Sequence, residues 1–427
     1  MKTKFNIVEL FSGIGSQAKA FERLSARKNV EFQILNTCEW DVHAIVAYDY
    51  IHNGPGIHKN AAKLTRDQLL DKLSSLSLSN DGKVAMNPST LRTYSTDVLR
   101  IIYSSILKTN NLISVEDVKG KDLPNNTTLL TYSFPCQDLS NVGALHGYNK
   151  GIDRDAHNRS GLLWEVERML VERKNNNLKL PEFLLLENVT ALEAKRHKSN
   201  FDEWKARLEE LGYYNHINRL YAPDFGIPQN RKRLLMLSVY VGDDKSKREA
   251  VQNYFENHDL NDQNYIKTLS IKKHKLSSIL KIDYSNKQLL KEALESEPKA
   301  TKSRKTIWDK NSQILLEDGT MKEIVQTITT KQDRHPNSGN LYFNPKNNGS
   351  RYRFLTPREC FMLMGFDEKD YERLITNNFE SRKNALFFSR DRLYKLAGNS
   401  IVVNMLEAIF EQAFEIKTLL TKQIESH

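Results

Sequence analysis

A chain of 427 residues, 39% hydrophobic and 27% charged, is long enough to bury a sizeable core and to form two domains. No apolar stretch is long enough to cross a bilayer and residues 1–11 hold no leader-like pattern, so a membrane or secreted protein is not expected. Three cysteines without paired spacing (Cys38, Cys136, Cys360) argue against a disulfide framework and a zinc site, and a net charge of +10 with a pI of about 9.2 points to a polyanionic partner.

In chain order, residues 5–11 read as a strand, 16–27 as a helix, 32–37 as a second strand and 42–52 as a helix. A polar helical insertion follows between Ala61 and Asn111, with residues 73–82 reading as a surface loop. Residues 129–132 form an apolar strand, 162–172 a helix, 182–187 a strand, 201–211 a helix and 233–241 a strand. This alternation predicts an α/β fold with a doubly wound, mostly parallel sheet. From Ile266 to Lys305 there are eleven Lys/Arg against four Asp/Glu, and residues 331–350 are rich in Asn, Gly and basic residues. Such a loop-rich basic surface suits phosphate tracking. Order returns at residues 353–365, and 401–423 read as an amphipathic helix.

Two places carry chemistry. The first strand runs into Phe11-Ser12-Gly13-Ile14-Gly15-Ser16, where glycines at a strand-to-helix turn let a ligand approach the backbone. Glu39 ends the second strand and is placed to bind ribose hydroxyls, with Trp40 beside it as a flat face for adenine. These residues fit an adenosine cofactor and leave NAD and S-adenosylmethionine both open, although Ala18 stands where the dinucleotide fingerprint wants a third glycine. The other place is Ser133-Phe134-Pro135-Cys136-Gln137: a proline that ends a strand delivers one thiol at the sheet's carboxyl edge, where open α/β sheets bind ligands.

Seven motifs, Glu9-Leu10-Phe11-Ser12-Gly13-Ile14-Gly15, Glu39-Trp40, Phe134-Pro135-Cys136-Gln137, Glu187-Asn188-Val189, Gln229-Asn230-Arg231-Lys232-Arg233, Arg353 through Cys360 and Gly398-Asn399-Ser400, occur in the order found in DNA cytosine-5 methyltransferases, which the chain resembles. The stretches around Cys136 and Arg159 through Glu165 most resemble the mycoplasma-type CpG enzymes of bacteria and phage. The resemblance implies Cys136 as nucleophile, Glu187 as the acid at ring nitrogen 3, and Arg233, with Arg231 behind it, at the base carbonyl. It implies S-adenosylmethionine as cofactor, held by Phe11, Gly13, Gly15, Glu39, Trp40, Leu162, Asn399 and Ser400, with no metal. Residues 143–151 would close over a flipped base, and Thr327-Ile328 resembles a pair that steadies the target strand.

The resemblance further implies a discontinuous large catalytic and cofactor-binding domain, residues 1–244 plus 386–427, and a small target-recognition domain, 245–385. Double-stranded DNA is the expected partner of a monomeric, cytoplasmic enzyme, with a separate cognate restriction endonuclease as a companion. The chain departs from the family at Ser114, which stands where an acid usually meets the adenine amino group; Asp97 and Asp117 are not assigned to that role. The residue that fills the gap left by the flipped base falls at Val142 and is not carried over. An RNA cytosine-5 methyltransferase, a non-catalytic DNA-binding regulator and an NAD-dependent oxidoreductase are the competing readings.

Overall fold

The computed structural model describes residues 2–135, 152, 159–298, 301–310, 312–332, 338–344 and 351–425. Cys136, Val142 and the 143–151 segment lie outside the described residues.

The chain divides into two compact units, Met1–Leu220 with Lys232–Leu269 and Leu406–His427, and Tyr221–Arg231 with Ser270–Met405. These boundaries differ from the expected ones at 244 and 386. The helix Lys245–Asn257 belongs to the first unit, where Phe255 stacks on His216 at 4.1 Å and the Tyr254 hydroxyl donates to Glu415 at 2.6 Å. The helix Arg390–Asn399 belongs to the second, where the Tyr394 hydroxyl donates to the Leu355 carbonyl at 2.7 Å.

The first unit is built on six strands: β1 (Thr3–Leu10), β2 (Val30–Cys38), β3 (Leu129–Tyr132), β4 (Phe183–Asn188), β5 (Tyr213–Tyr221) and β7 (Lys232–Tyr240). Between the last two in sequence lies β6 (Gln229–Asn230), which belongs to the second unit. The sheet order is β2-β1-β3-β4-β7-β5. Neighbours from β2 to β4 are parallel, and β7 runs antiparallel to β4. The chain therefore leaves β1 towards one side and returns to β3 on the other, so the sheet switches direction beside the carboxyl end of β1, where such sheets bind ligands.

β3 and β4 are buried along their whole length, which is why they read as continuous apolar runs. Alternate residues of β1 face opposite sides. Val8 and Leu10 join a core with Met169, Leu170, Trp204 and Leu208 from the helices Leu163–Asn175 and Lys195–Glu210. Phe5 faces the other way, 5.3 Å from Phe21 of the helix Ser16–Arg27, whose ring stacks at 4.2 Å on Phe410 of the last helix, Val403–Glu425. Burying one such ring is worth roughly 1.5–3 kcal/mol. Helices thus cover both faces, as the alternation requires.

The expected surface loop at 73–82 is in part interior. Leu78 and Ser79 are buried, and Ser79 pairs with Asp41, donating its amide to the Trp40 carbonyl at 2.7 Å and accepting from the Val42 amide at 3.0 Å. The insertion thereby braces the segment that follows β2.

In the second unit, β8 (Gln313–Leu315), β10 (Asn340–Tyr342) and β11 (Tyr352–Phe354) form a small sheet, and β6 pairs in parallel with β9 (Val325–Gln326). Its centre is held by charge. Arg353 and Glu359, both fully buried, make a bidentate pair at 2.8 and 2.9 Å, and Glu359 also accepts from the amides of Thr356 and Lys281 at 2.7 Å. Thr356 and Glu359 are the two ends of a capping box on the helix Pro357–Leu363. This accounts for much of the Arg353–Cys360 motif as architecture.

Candidate active site

The turn after β1 turns through three residues at positive φ: Phe11 at 55°, Gly13 at 54° and Gly15 at 82°. Gly15 has no alternative, because a Cβ there would lie 2.1 Å from His52 Nε2 and 2.8 Å from the Tyr48 ring. At Gly13 the same position is open, with no atom within 4 Å. Gly15, the N-cap of the helix Ser16–Arg27, has no side chain to cap it, and the positive dipole end of the helix lies at the turn.

Glu39 joins this turn to the end of β2. Its Oε2 accepts from the Gly13 amide at 3.0 Å, and its Oε1 from the amides of Trp40 at 2.9 Å and Asp41 at 2.8 Å. A carboxylate offers about four acceptor sites, so three amides leave one for a hydroxyl. Burial pushes this carboxyl up to about 7, and the charge on Asp41 adds to the rise against the three amides. An exposed backbone turn, an acceptor of this kind and the half-buried Trp40 ring together fit a ribose-bearing ligand.

Beneath the turn, Glu9 is fully buried. Its oxygens lack hydrogen bonds of full geometry; the Tyr48 hydroxyl and the Ala18 amide lie close enough to favour the anion, yet burial dominates and raises the carboxyl to about 7.

The second site feature arises from the reversed strand. Glu187 of β4 is directly opposite Leu235 of β7, which makes Arg233, two residues along, its diagonal neighbour on the same face. Arg233 Nε lies 3.2 Å from Glu187 Oε1, and both side chains keep a little exposure, 14% and 11%. Only an antiparallel β7 brings its first residues to the edge where the parallel strands end. Next to Glu187, the buried Asn188 donates its side-chain amide to the Phe134 carbonyl at 3.1 Å. It thereby ties down the backbone at Phe134. Leu162, half-buried, opens the helix Leu163–Asn175.

The structure gives Arg231 a different place from Arg233. It is buried in the second unit, where one terminal nitrogen donates to the Ile328 carbonyl at 3.0 Å and the other to Ser400 at 2.9 Å and Gly398 at 3.3 Å. Gln229 donates to the Leu363 carbonyl at 2.8 Å and accepts from the Ile328 amide at 3.0 Å. Through these three bonds Arg231 clamps residues 328 and 398–400. Asn399, exposed, and Ser400, buried, lie in this unit at the end of the helix Arg390–Asn399.

Of the acids near the unusual Ser114, Asp97 pairs with Arg100 at 2.8 Å and Asp117 accepts from the Ser77 hydroxyl at 2.9 Å. Ser114 itself is buried. Asn188, read only as a motif member, and Asn111 received no role from the sequence; both act by side-chain bonds to distant backbone and leave no trace in periodicity.

Residues 93–415 match the family described as C-5 cytosine-specific DNA methylase. The chain is 33% identical over 424 residues to the orphan methyltransferase M.SssI of Spiroplasma monobiae, covering 96% of this chain and 97% of that one. It is 30% identical over 410 residues to the type II methyltransferase M2.ScrFI of Lactococcus lactis subsp. cremoris, covering 96% and 99%. Among solved structures its fold is similar to S. pombe Dnmt2 methyltransferase, with a TM-score of 0.56 at 17% identity, covering 96% of this chain and 98% of that one.

Proposed function

From the premise that the chain belongs to the C-5 cytosine-specific DNA methylases and is a DNA cytosine-5 methyltransferase, we propose that it methylates a cytosine turned out of the duplex, through a covalent bond from Cys136 to ring carbon 6. The Glu187–Arg233 pair carries this reading: a carboxyl and a guanidinium 3.2 Å apart, at the sheet edge where the chain runs on to Cys136, match the two polar edges of a cytosine ring.

Carbon 5 of cytosine is a weak nucleophile. Addition of the Cys136 thiolate to carbon 6 pushes electrons through the ring towards nitrogen 3, where the Glu187 carboxyl donates a proton or hydrogen bond. Arg233 donates to the carbonyl at carbon 2 and steadies the charge there. The ring is then an enamine, electron-rich at carbon 5. S-adenosylmethionine, when bound, supplies the methyl group that carbon 5 takes. Loss of the carbon 5 proton to water, return of the nitrogen 3 proton to Glu187 and expulsion of the Cys136 thiolate restore the aromatic ring. Asn188 holds the Phe134 carbonyl, two residues before Cys136. Taking the base out of the stack costs a few kcal/mol.

Glu39, with the open backbone at Gly13, would hold the cofactor's ribose, Trp40 its adenine and Leu162 the pocket wall. The family resemblance gives Asn399 and Ser400 a cofactor role, and the second unit, carrying most of the basic loop-rich sequence, would read the duplex.

Bisulfite sequencing of DNA from a methylation-free host tests this. Cells making the wild type should show protected cytosines in one short context, and cells making Cys136→Ala none. Protection that persists with Cys136→Ala removes the nucleophile; no protection with wild type, together with methylated tRNA, moves the substrate to RNA.

A further inference from the structure

Asn111 follows the helix Thr96–Lys108, at the end of the insertion, and carries none of the roles given so far. Its side chain makes three hydrogen bonds to backbone, two of them to Glu39 and one to Ile113. Oδ1 accepts from the Glu39 amide at 3.0 Å and from the Ile113 amide at 2.8 Å, and Nδ2 donates to the Glu39 carbonyl at 3.0 Å. One amide group therefore grips Glu39 on both sides of its peptide unit, much as a neighbouring strand would.

The second partner is unusual. Ile113 is a buried β-branched residue at a φ of 69°. Such a conformation is strained for a β-branched residue and persists only where its surroundings impose it. Here the Asn111 side chain takes its amide, and the Cys38 thiol donates to its carbonyl at 3.4 Å. The backbone just before it is laced to β2, with Thr37 donating to Thr109 at 3.3 Å and accepting from Leu112 at 2.8 Å. The strained turn is thus tied to the strand end that presents Glu39.

We infer that Asn111 is a positioning residue for the cofactor's ribose: it sets the Glu39 backbone so that the carboxylate faces the Gly13 turn with one acceptor site to spare. This rests on the ribose role proposed for Glu39. The plainer alternative, that Asn111 only holds up the loop, makes a different prediction. A loop support would affect any ligand of the site, whereas a device acting through Glu39 matters only for a ligand with ribose hydroxyls.

The test is calorimetric titration of the full chain with S-adenosylhomocysteine and with its 2′,3′-dideoxyribose counterpart. Wild type should bind the parent compound more tightly. Asn111→Ala should weaken the parent by about tenfold, the loss of one or two net hydrogen bonds, and leave the dideoxy compound unchanged. In turnover the same variant should raise KM for S-adenosylmethionine by about tenfold with kcat within about twofold. Equal weakening of both compounds, or of neither, overturns the inference. If wild type itself does not distinguish the compounds, the ribose role of Glu39 falls and this inference with it. If wild type distinguishes them and Asn111→Ala does so to the same degree, only this inference falls. Should Asn111→Ala fail to fold, Asn111→Ser keeps a hydroxyl that can accept from a backbone amide and loses the donor to the Glu39 carbonyl. It should show a smaller loss with the same dependence on the ribose; a loss independent of the ribose overturns the inference.

Discussion

Glu9→Gln should make the protein more stable at pH 8 and leave it no more stable at pH 5. Glu9 sits fully buried against Tyr48, with no full-strength hydrogen bond to its oxygens and a carboxyl raised from 4.5 to about 7. In the unfolded chain the group ionises near its ordinary value, while in the folded chain it keeps its proton until about pH 7. The neutral carboxyl's contribution is therefore fully present below about 4.5 and is lost as the pH rises to about 7. At about 1.4 kcal/mol per pH unit, that interval amounts to about 3 kcal/mol. Glutamine has the same shape and cannot ionise, so the variant escapes the loss. Its amide still needs partners in a site that offers few, which reduces the net gain at pH 8 to about 1–3 kcal/mol. Urea denaturation at both pH values, followed by fluorescence of the buried Trp204 in the same unit, reads the difference. Parallel pH dependence in wild type and variant would falsify the account of Glu9 as a destabilising buried acid.

Two further outcomes are expected. Glu187→Gln should lower the single-turnover methylation rate by roughly 10²–10⁴-fold while DNA binding holds, since glutamine can occupy the place but cannot give up a proton; a rate within a few-fold of wild type would remove Glu187 from the acid's role. Glu359→Ala should cost about 3–5 kcal/mol because it strands the fully buried Arg353 and opens a capping box; a thermal midpoint like that of wild type would show that the charge is satisfied elsewhere.

The strands β1 to β4 were legible because burial on both faces, or on one, imposes an apolar run or an alternation. β5 was not. Its sequence carries Asn215, His216, Asn218 and Arg219, and it lies last in the sheet order. There His216 can stack on Phe255, and Arg219 can make a two-pronged contact with Glu193 at 2.6 and 2.7 Å. Polar residues at a sheet margin look like loop when only composition is visible. The reversal of β7 was likewise hidden, since an antiparallel strand has the same composition as a parallel one, although it is what unites Glu187 and Arg233. Glycine turns and acids at strand ends left strong local signals at Gly13, Gly15 and Glu39. Arg231 left an ambiguous one: in a run of basic residues, an arginine bound to carbonyls looks the same as one that awaits a base.

The unit that carries Glu39, Glu187 and Arg233 draws on both ends of the chain, for Phe21 is covered by Phe410, and Arg23 and Arg27 pair with Glu407 at 3.3 and 3.0 Å. A ribosome must therefore translate past residue 410 before the face formed first can be closed. A polypeptide interrupted earlier exposes Phe5 and Phe21 to water and to chaperones, even with every residue of the site already made. Supplying the missing helix as a separate peptide should then restore such a fragment, which would turn the last segment into a handle for switching the enzyme on from outside.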